Sequence, residues 1–226
     1  MTALPCAAAL TGCGSDRTTS NADQATEPAP GQSSSHSSGT VEPGKTEPIT
    51  IEGVAALVSE HLGAANIDRF GTFGADDQEE GTVGVAVWLR GDDPRTMFVV
   101  NAMAPDAEEG GGFGEMAGFT CEEQQRHTMR GVKDTWCEDV QGGGTVAVQL
   151  IEYGFSDDNR HGQVLSGLAV EADGRVAMAL YETYTNHVTV DPQNLLKLLA
   201  DERLAWQTDP AVNQAGRGID VETMAG

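Results

Sequence analysis

Basic residues are scarce in this chain. Only 13 lysines and arginines stand against 35 aspartates and glutamates in 226 residues, a formal net charge of −22. That balance excludes nucleic-acid binding through a basic footprint and attraction to an anionic lipid surface through a polybasic patch. Long hydrophobic runs are also missing. A bilayer span takes about 20 consecutive apolar residues, and charge or glycine breaks each apolar stretch here within about ten.

The chain is equally short of catalytic signatures. His36, His61, His127, His161 and His187 are scattered, and none forms His-Glu-x-x-His. Ser166 precedes Gly167 but lacks the glycine two residues earlier that a nucleophile elbow requires. Lys45, Lys133 and Lys197 stand outside any Ser-x-x-Lys context, and the glycine runs at 110–112 and 142–144 are not followed by Lys-Ser/Thr. Asp157-Asp158-Asn159 lacks the alternating spacing of a calcium loop and reads as a polar turn. The acidic pairs Asp76-Asp77, Glu79-Glu80, Asp92-Asp93, Glu108-Glu109, Glu122-Glu123 and Asp157-Asp158 read as a solvated, self-repelling surface. No catalytic residue, cofactor or metal site is therefore predicted, and the chain reads as non-enzymatic.

The first residues are more specific. Residues 3–10 are apolar and mostly small, Thr11 and Gly12 follow, and Cys13 precedes Gly14-Ser15-Asp16, where the apolar phase stops. Leu10-Thr11-Gly12-Cys13 resembles a bacterial lipobox, the site at which a leader is cut and the new N-terminal cysteine lipidated. No Lys or Arg precedes it, the first being Arg17, so the basic part of the leader is expected upstream of Met1. Cys6 receives no role. With arginine outnumbering lysine and Ala, Gly, Val and Asp abundant, the chain resembles small actinobacterial cell-envelope lipoproteins. The resemblance is one of architecture rather than of an active site. It implies lipidation of Cys13, at least two acyl chains (palmitate among them) for stable anchoring, and a place on the extracellular face of the cell membrane.

Four segments follow from this reading: a lipoprotein signal peptide over 1–12, a disordered Ser/Thr/Pro-rich tether over 13–48, a globular domain over 49–208 and a flexible tail over 209–226. The tether has almost no large apolar side chain with which to offset its chain entropy. In the domain, Thr50 reads as a helix cap before an apolar stripe at Ile51, Val54, Ala55, Leu57, Val58 and Leu62, with Gly63 as the stop. Strands are predicted over 82–90, 96–103, 145–153, 164–171 and 175–184, with shorter ones over 127–132 and 135–140. Gly91-Asp92-Asp93-Pro94 and Ala172-Asp173-Gly174 supply the hairpin turns. Asp191-Pro192 caps a last helix whose buried side carries Leu195, Leu196, Leu198, Leu199 and Leu204. The pattern predicts an α+β single domain. Its antiparallel meander of five to seven strands carries the N-terminal and C-terminal helices on one face.

Cys121 and Cys137 are the remaining cysteines and are expected to pair once exported. The alternative is a metal site using His127, for which no fourth ligand is evident. The sheet face not covered by helices is the candidate contact surface, with Tyr153, Tyr181, Tyr184 and His187 as its candidate residues. The expected partners are the membrane through the lipid anchor and an envelope protein or cell-wall polymer. Three rivals have distinct marks. A carboxylate-dependent hydrolase needs an acid pair of raised pKa in a cleft. An accessory or inhibitor subunit needs an exposed apolar patch. A ligand carrier needs an apolar cavity.

Overall fold

The structure is a computed structural model that describes residues 44–72, 81–105, 120–126, 131–140, 143–154, 161–185 and 187–224. The lipobox, Cys13 and most of the tether lie outside the described residues, as do His127 and Asp157-Asp158-Asn159. Helix α1 (Ile51–Leu62) begins where the Thr50 hydroxyl accepts the Gly53 N–H and ends at Gly63, in a left-handed conformation that glycine adopts without steric cost. Helix α2 spans Cys121–Arg126, α3 spans Pro192–Leu199 and α4 spans Pro210–Gly216. Asp191 caps α3 by accepting the Gln193 N–H, and Pro192 takes the first-turn position where its missing N–H costs nothing.

Ten strands are described: β1 (Glu47–Pro48), β2 (Ile67–Thr72), β3 (Thr82–Leu89), β4 (Met97–Met103), β5 (Val132–Asp139), β6 (Gly144–Gly154), β7 (His161–Glu171), β8 (Val176–Thr183), β9 (Gln207–Thr208) and β10 (Val221–Thr223). Eight of them form one sheet in the order β10-β2-β3-β4-β8-β7-β6-β5. All its pairings are antiparallel except β10 on β2. The expected meander is present as two runs, β2–β3–β4 and β5–β6–β7–β8, joined where β4 pairs with β8.

Helices α1 and α3 pack on one face of this sheet, α1 over β2, β3 and β4, and α3 over β5 to β8. The inward row Trp136, Val148, Gly167, Ala179, Val100 and Val85 runs across six strands. A second row runs through Leu165, Tyr181, Phe98, Val87 and Phe70. Gly167 is required there: a Cβ would stand 2.4 Å from the Leu199 side chain, so its absence lets α3 settle on the sheet.

Three expectations need correction. Of the flexible tail expected over 209–226, residues 209–224 are built into the fold. Asp209 and Pro210 repeat the cap-and-proline device of α3. Asn213 accepts the Thr50 N–H and donates to Glu47 and Pro48, and β10 lies beside β2. Order also begins before Ile49, because Glu47–Pro48 pairs with Gln207–Thr208. Finally, β2 was not foreseen, and one strand, Val132–Asp139, stands where two short ones were expected; 127–130 lie outside the described residues.

Arg175, immediately before β8, is buried. Its Nη1 donates to the carbonyls of Leu199, Asp201 and Leu204 at 3.0, 3.0 and 3.3 Å, and its Nη2 donates to Glu171. The guanidinium thus binds the carbonyl of Leu199, the last residue of α3, and two carbonyls of the turn after it, while neutralising a carboxylate on the neighbouring strand. Substitution Arg175→Met leaves Glu171 charged and unpaired in the interior. It is expected to lower the free energy of unfolding by about 3–5 kcal/mol, read as a lower urea midpoint at unchanged slope, and Glu171→Gln in the same background recovers part of the loss.

Candidate functional site

The second face of the sheet is built from alternate positions of the same strands. One row crosses seven strands through Gly71, Ala86, Val99, Leu180, Ser166, Gln149 and Thr135. The next holds Met97, Glu182, Val164 and Ile151, and another holds Asn101, Met178, Leu168, Ala147 and Cys137. Among the outward positions of β3, β4, β6, β7 and β8, Glu182 is the single charged side chain. An antiparallel sheet with one face in water alternates apolar and polar residues, and these strands do not. Toward one end, Met103, Val170 and Val176 are buried. Toward the other, Leu180 and Tyr184 are 37% and 40% exposed.

Two aromatic side chains flank the open end, each with an arginine on its ring. The Arg69 guanidinium stands 4.3 Å from the Trp88 centroid and that of Arg95 stands 5.8 Å from Tyr184. Glu222 pairs with Arg69 at 3.5 Å, and Asp93 pairs with Arg95 at 2.8 Å. The Arg95 hydrogen bonds hold the Asp93 carboxyl down at about 2. The Tyr153 hydroxyl donates to Glu182 at 2.8 Å, and burial followed by this bond to a carboxylate raises the phenol's pKa.

Of the four residues expected on this face, Tyr153 and Tyr184 are there. His187 is exposed in the segment after β8, where its N–H meets the Thr185 hydroxyl. Tyr181 is not: it is 1% exposed in the core, in register with Phe98 and Leu165. Its hydroxyl donates to Asp92 at 2.9 Å and meets Thr189 at 3.0 Å, and burial is the largest cause of its raised pKa. Trp88, Met97, Leu180 and Arg69 were not singled out from sequence. The signal was present as near-continuous apolar strands where alternation was due.

Cys121 and Cys137 form a disulfide that ties α2 to the outward side of β5. The Cys121 N–H also donates to Asp139, and Thr120 and Glu123 form a reciprocal cap at the start of α2. No three His, Cys, Asp or Glu side chains among the described residues come together as metal ligands. Two clefts flank the β3–β4 turn. One, of about 290 Å³, is lined by Leu62, Asn66, Leu89, Arg90, Thr189, Val190, Asp191 and Asn194. The other, of about 310 Å³, includes Asp68, Arg69, Trp88, Arg90 and Asp92. Both are shallow and mixed in polarity, unlike the lined cavity of a ligand carrier.

The mark of a carboxylate catalyst is an acid of raised pKa in a cleft. Glu60, Asp93 and Asp201, among the described residues, each have a lowered carboxyl pKa. Asp201 accepts from His61 at 2.8 Å and from Arg203 at 2.6 Å, and Arg203 reaches on to Glu60 at 2.9 Å. Burial works to raise the Asp201 pKa, but the bonds from Arg203 and His61 outweigh it and hold it at about 2. The group clamps the end of α1 to the turn after α3. Because the folded pKa lies below the ordinary value, this stabilisation is complete above about pH 4 and fades as pH falls toward 2. Asp201→Asn is expected to lose on the order of 1–2 kcal/mol at pH 6, with the gap to the parent protein closing in urea titrations repeated down to pH 2.

Comparison with known protein families, with curated proteins and with solved structures finds no match for this chain.

Proposed function

We propose that the protein is a lipid-anchored envelope lipoprotein whose domain is a non-enzymatic binding module, working through the second face of its sheet. The observation that carries this reading is the composition of that face. A chain that is 21% charged keeps one charge on the outward positions of five adjacent strands and leaves Leu180 and Tyr184 exposed there. Water does not favour such a surface, whereas a partner does. Trp, Tyr, Met and Arg, the residue types enriched in protein contacts, are present as Trp88, Tyr184, Met97, Met178, Arg69 and Arg95.

Two features support the location. Leu10-Thr11-Gly12-Cys13 has the form of a lipobox, and the Cys121–Cys137 disulfide suits an oxidising space. Among the described residues no helix is long and apolar enough to cross a membrane. The alternatives are a carboxylate-dependent envelope hydrolase and an accessory or inhibitor subunit of a membrane enzyme. The second shares the open apolar face and differs only in the identity of its partner.

Expression in a high-GC Gram-positive host, from DNA that includes the upstream sequence, tests the anchor. The expected product sediments with membranes, begins at Cys13, carries added acyl mass and shows no free thiol at Cys121 or Cys137. Cys13→Ser is expected to move it to the soluble fraction. A soluble parent protein retaining Met1 and free thiols would overturn the reading.

A further inference from the structure

We infer that the open end of the second sheet face docks a protein partner whose contact surface is apolar and brings a lysine or arginine to Glu182. The inference rests on the reading of that face as the working surface and adds the chemistry of what covers it.

Glu182 sits between Met97 and Val164 on an apolar row, half-buried. Among the described residues its one hydrogen bond comes from the Tyr153 hydroxyl, and no cation pairs with it. In water the remaining lone pairs are solvated. Under a docked apolar surface they would not be, and a carboxylate left dry without a counter-charge opposes association strongly. A partner that covers Leu180, Met97 and Val164 must therefore also supply a cation at Glu182. The nearby arginines do not fill that role, since Arg69 is turned to Trp88 and Glu222, and Arg95 to Tyr184 and Asp93.

The whole-molecule field selects the same partner. A net charge of −22 draws basic surfaces toward the protein and orients them on approach. It also disfavours the two other occupants an apolar face could take. A second copy would bring another −22 and a second Glu182 without a cation, and an anionic bilayer would be repelled.

The test uses the full chain with the methionine methyl groups labelled for NMR, because Met97 and Met178 report on the face and the buried Met103 serves as a reference. The probe is a twelve-residue peptide of alternating leucine and lysine, compared with one of alternating leucine and glutamate. The lysine peptide is expected to shift the Met97 and Met178 methyls. Its affinity should fall about tenfold in Glu182→Gln and at least tenfold in Leu180→Asp, although the latter adds negative charge. Glu182→Lys should transfer the preference to the glutamate peptide, a gain that a misfolded variant cannot give.

If Leu180→Asp abolishes binding while both Glu182 variants behave as the parent, the cation pairing is overturned and the docking face stands. Shifts confined to other methyls and indifferent to Leu180→Asp would mean attraction to acidic loops alone and overturn both. A concentration-dependent dimer lost in Leu180→Asp, or binding to phosphatidylglycerol vesicles, would replace the proposed partner with a second copy or a membrane.

Discussion

The buried guanidinium of Arg175 is the contact on which the arrangement of helix and sheet depends. It stands where the β7–β8 hairpin begins its return and reaches three carbonyls in and after α3 as well as the Glu171 carboxylate. Apolar packing alone holds α3 against the sheet but leaves it free to slide, because leucine side chains accept many neighbours. A planar cation with fixed donor directions does not. Once Arg175 is placed, the end of α3, the 201–204 turn and the Asp201 clamp to α1 follow in sequence.

That arrangement explains why the two faces of one sheet differ. On β8 the inward positions include Ala177 and Ala179, small where α3 packs, and the large Tyr181, while the outward ones include Met178 and Leu180. Apolar side chains thus stand on both faces of this strand, rather than only on the side that carries α1 and α3. Ordinary antiparallel sheets place their bulk toward the helices and polar groups toward water. Here the outward positions of β3, β4, β6, β7 and β8 keep neutral polar groups such as Asn101, Gln149 and Ser166 but a single charge, Glu182.

Much of this was legible in the residues. Thr50 and Gly63 bound α1, Asp191-Pro192 opens α3, Asp173-Gly174 turns the β7–β8 hairpin, and Cys121 pairs with Cys137. Each rests on chemistry confined to a few neighbouring residues or to a unique pair. Arg175 was not legible, since its partners lie far along the chain and a lone arginine after a turn reads as exposed. Tyr181 was misplaced for a related reason: β8 carries apolar side chains on both faces, so its alternation does not mark which side is inward. The 209–226 segment has few apolar residues, but Asp209-Pro210 carried the same signal as Asp191-Pro192. The open face was written in the missing alternation of β3, β4 and β8, a property of several strands taken together.

The strands at the two edges of the described sheet add a consequence. One edge is β10, three residues long and running parallel to β2; the other is β5, which carries Lys133, Asp134, Glu138 and Asp139 and bears the disulfide to α2. Short, charged or tethered edges discourage backbone pairing with another strand. Recognition is thereby confined to side chains rather than to the generic hydrogen-bond ladder that any extended peptide can join. Such a surface can change its partner by single replacements on a fixed scaffold, and it resists the runaway stacking to which a wide apolar sheet would otherwise be prone.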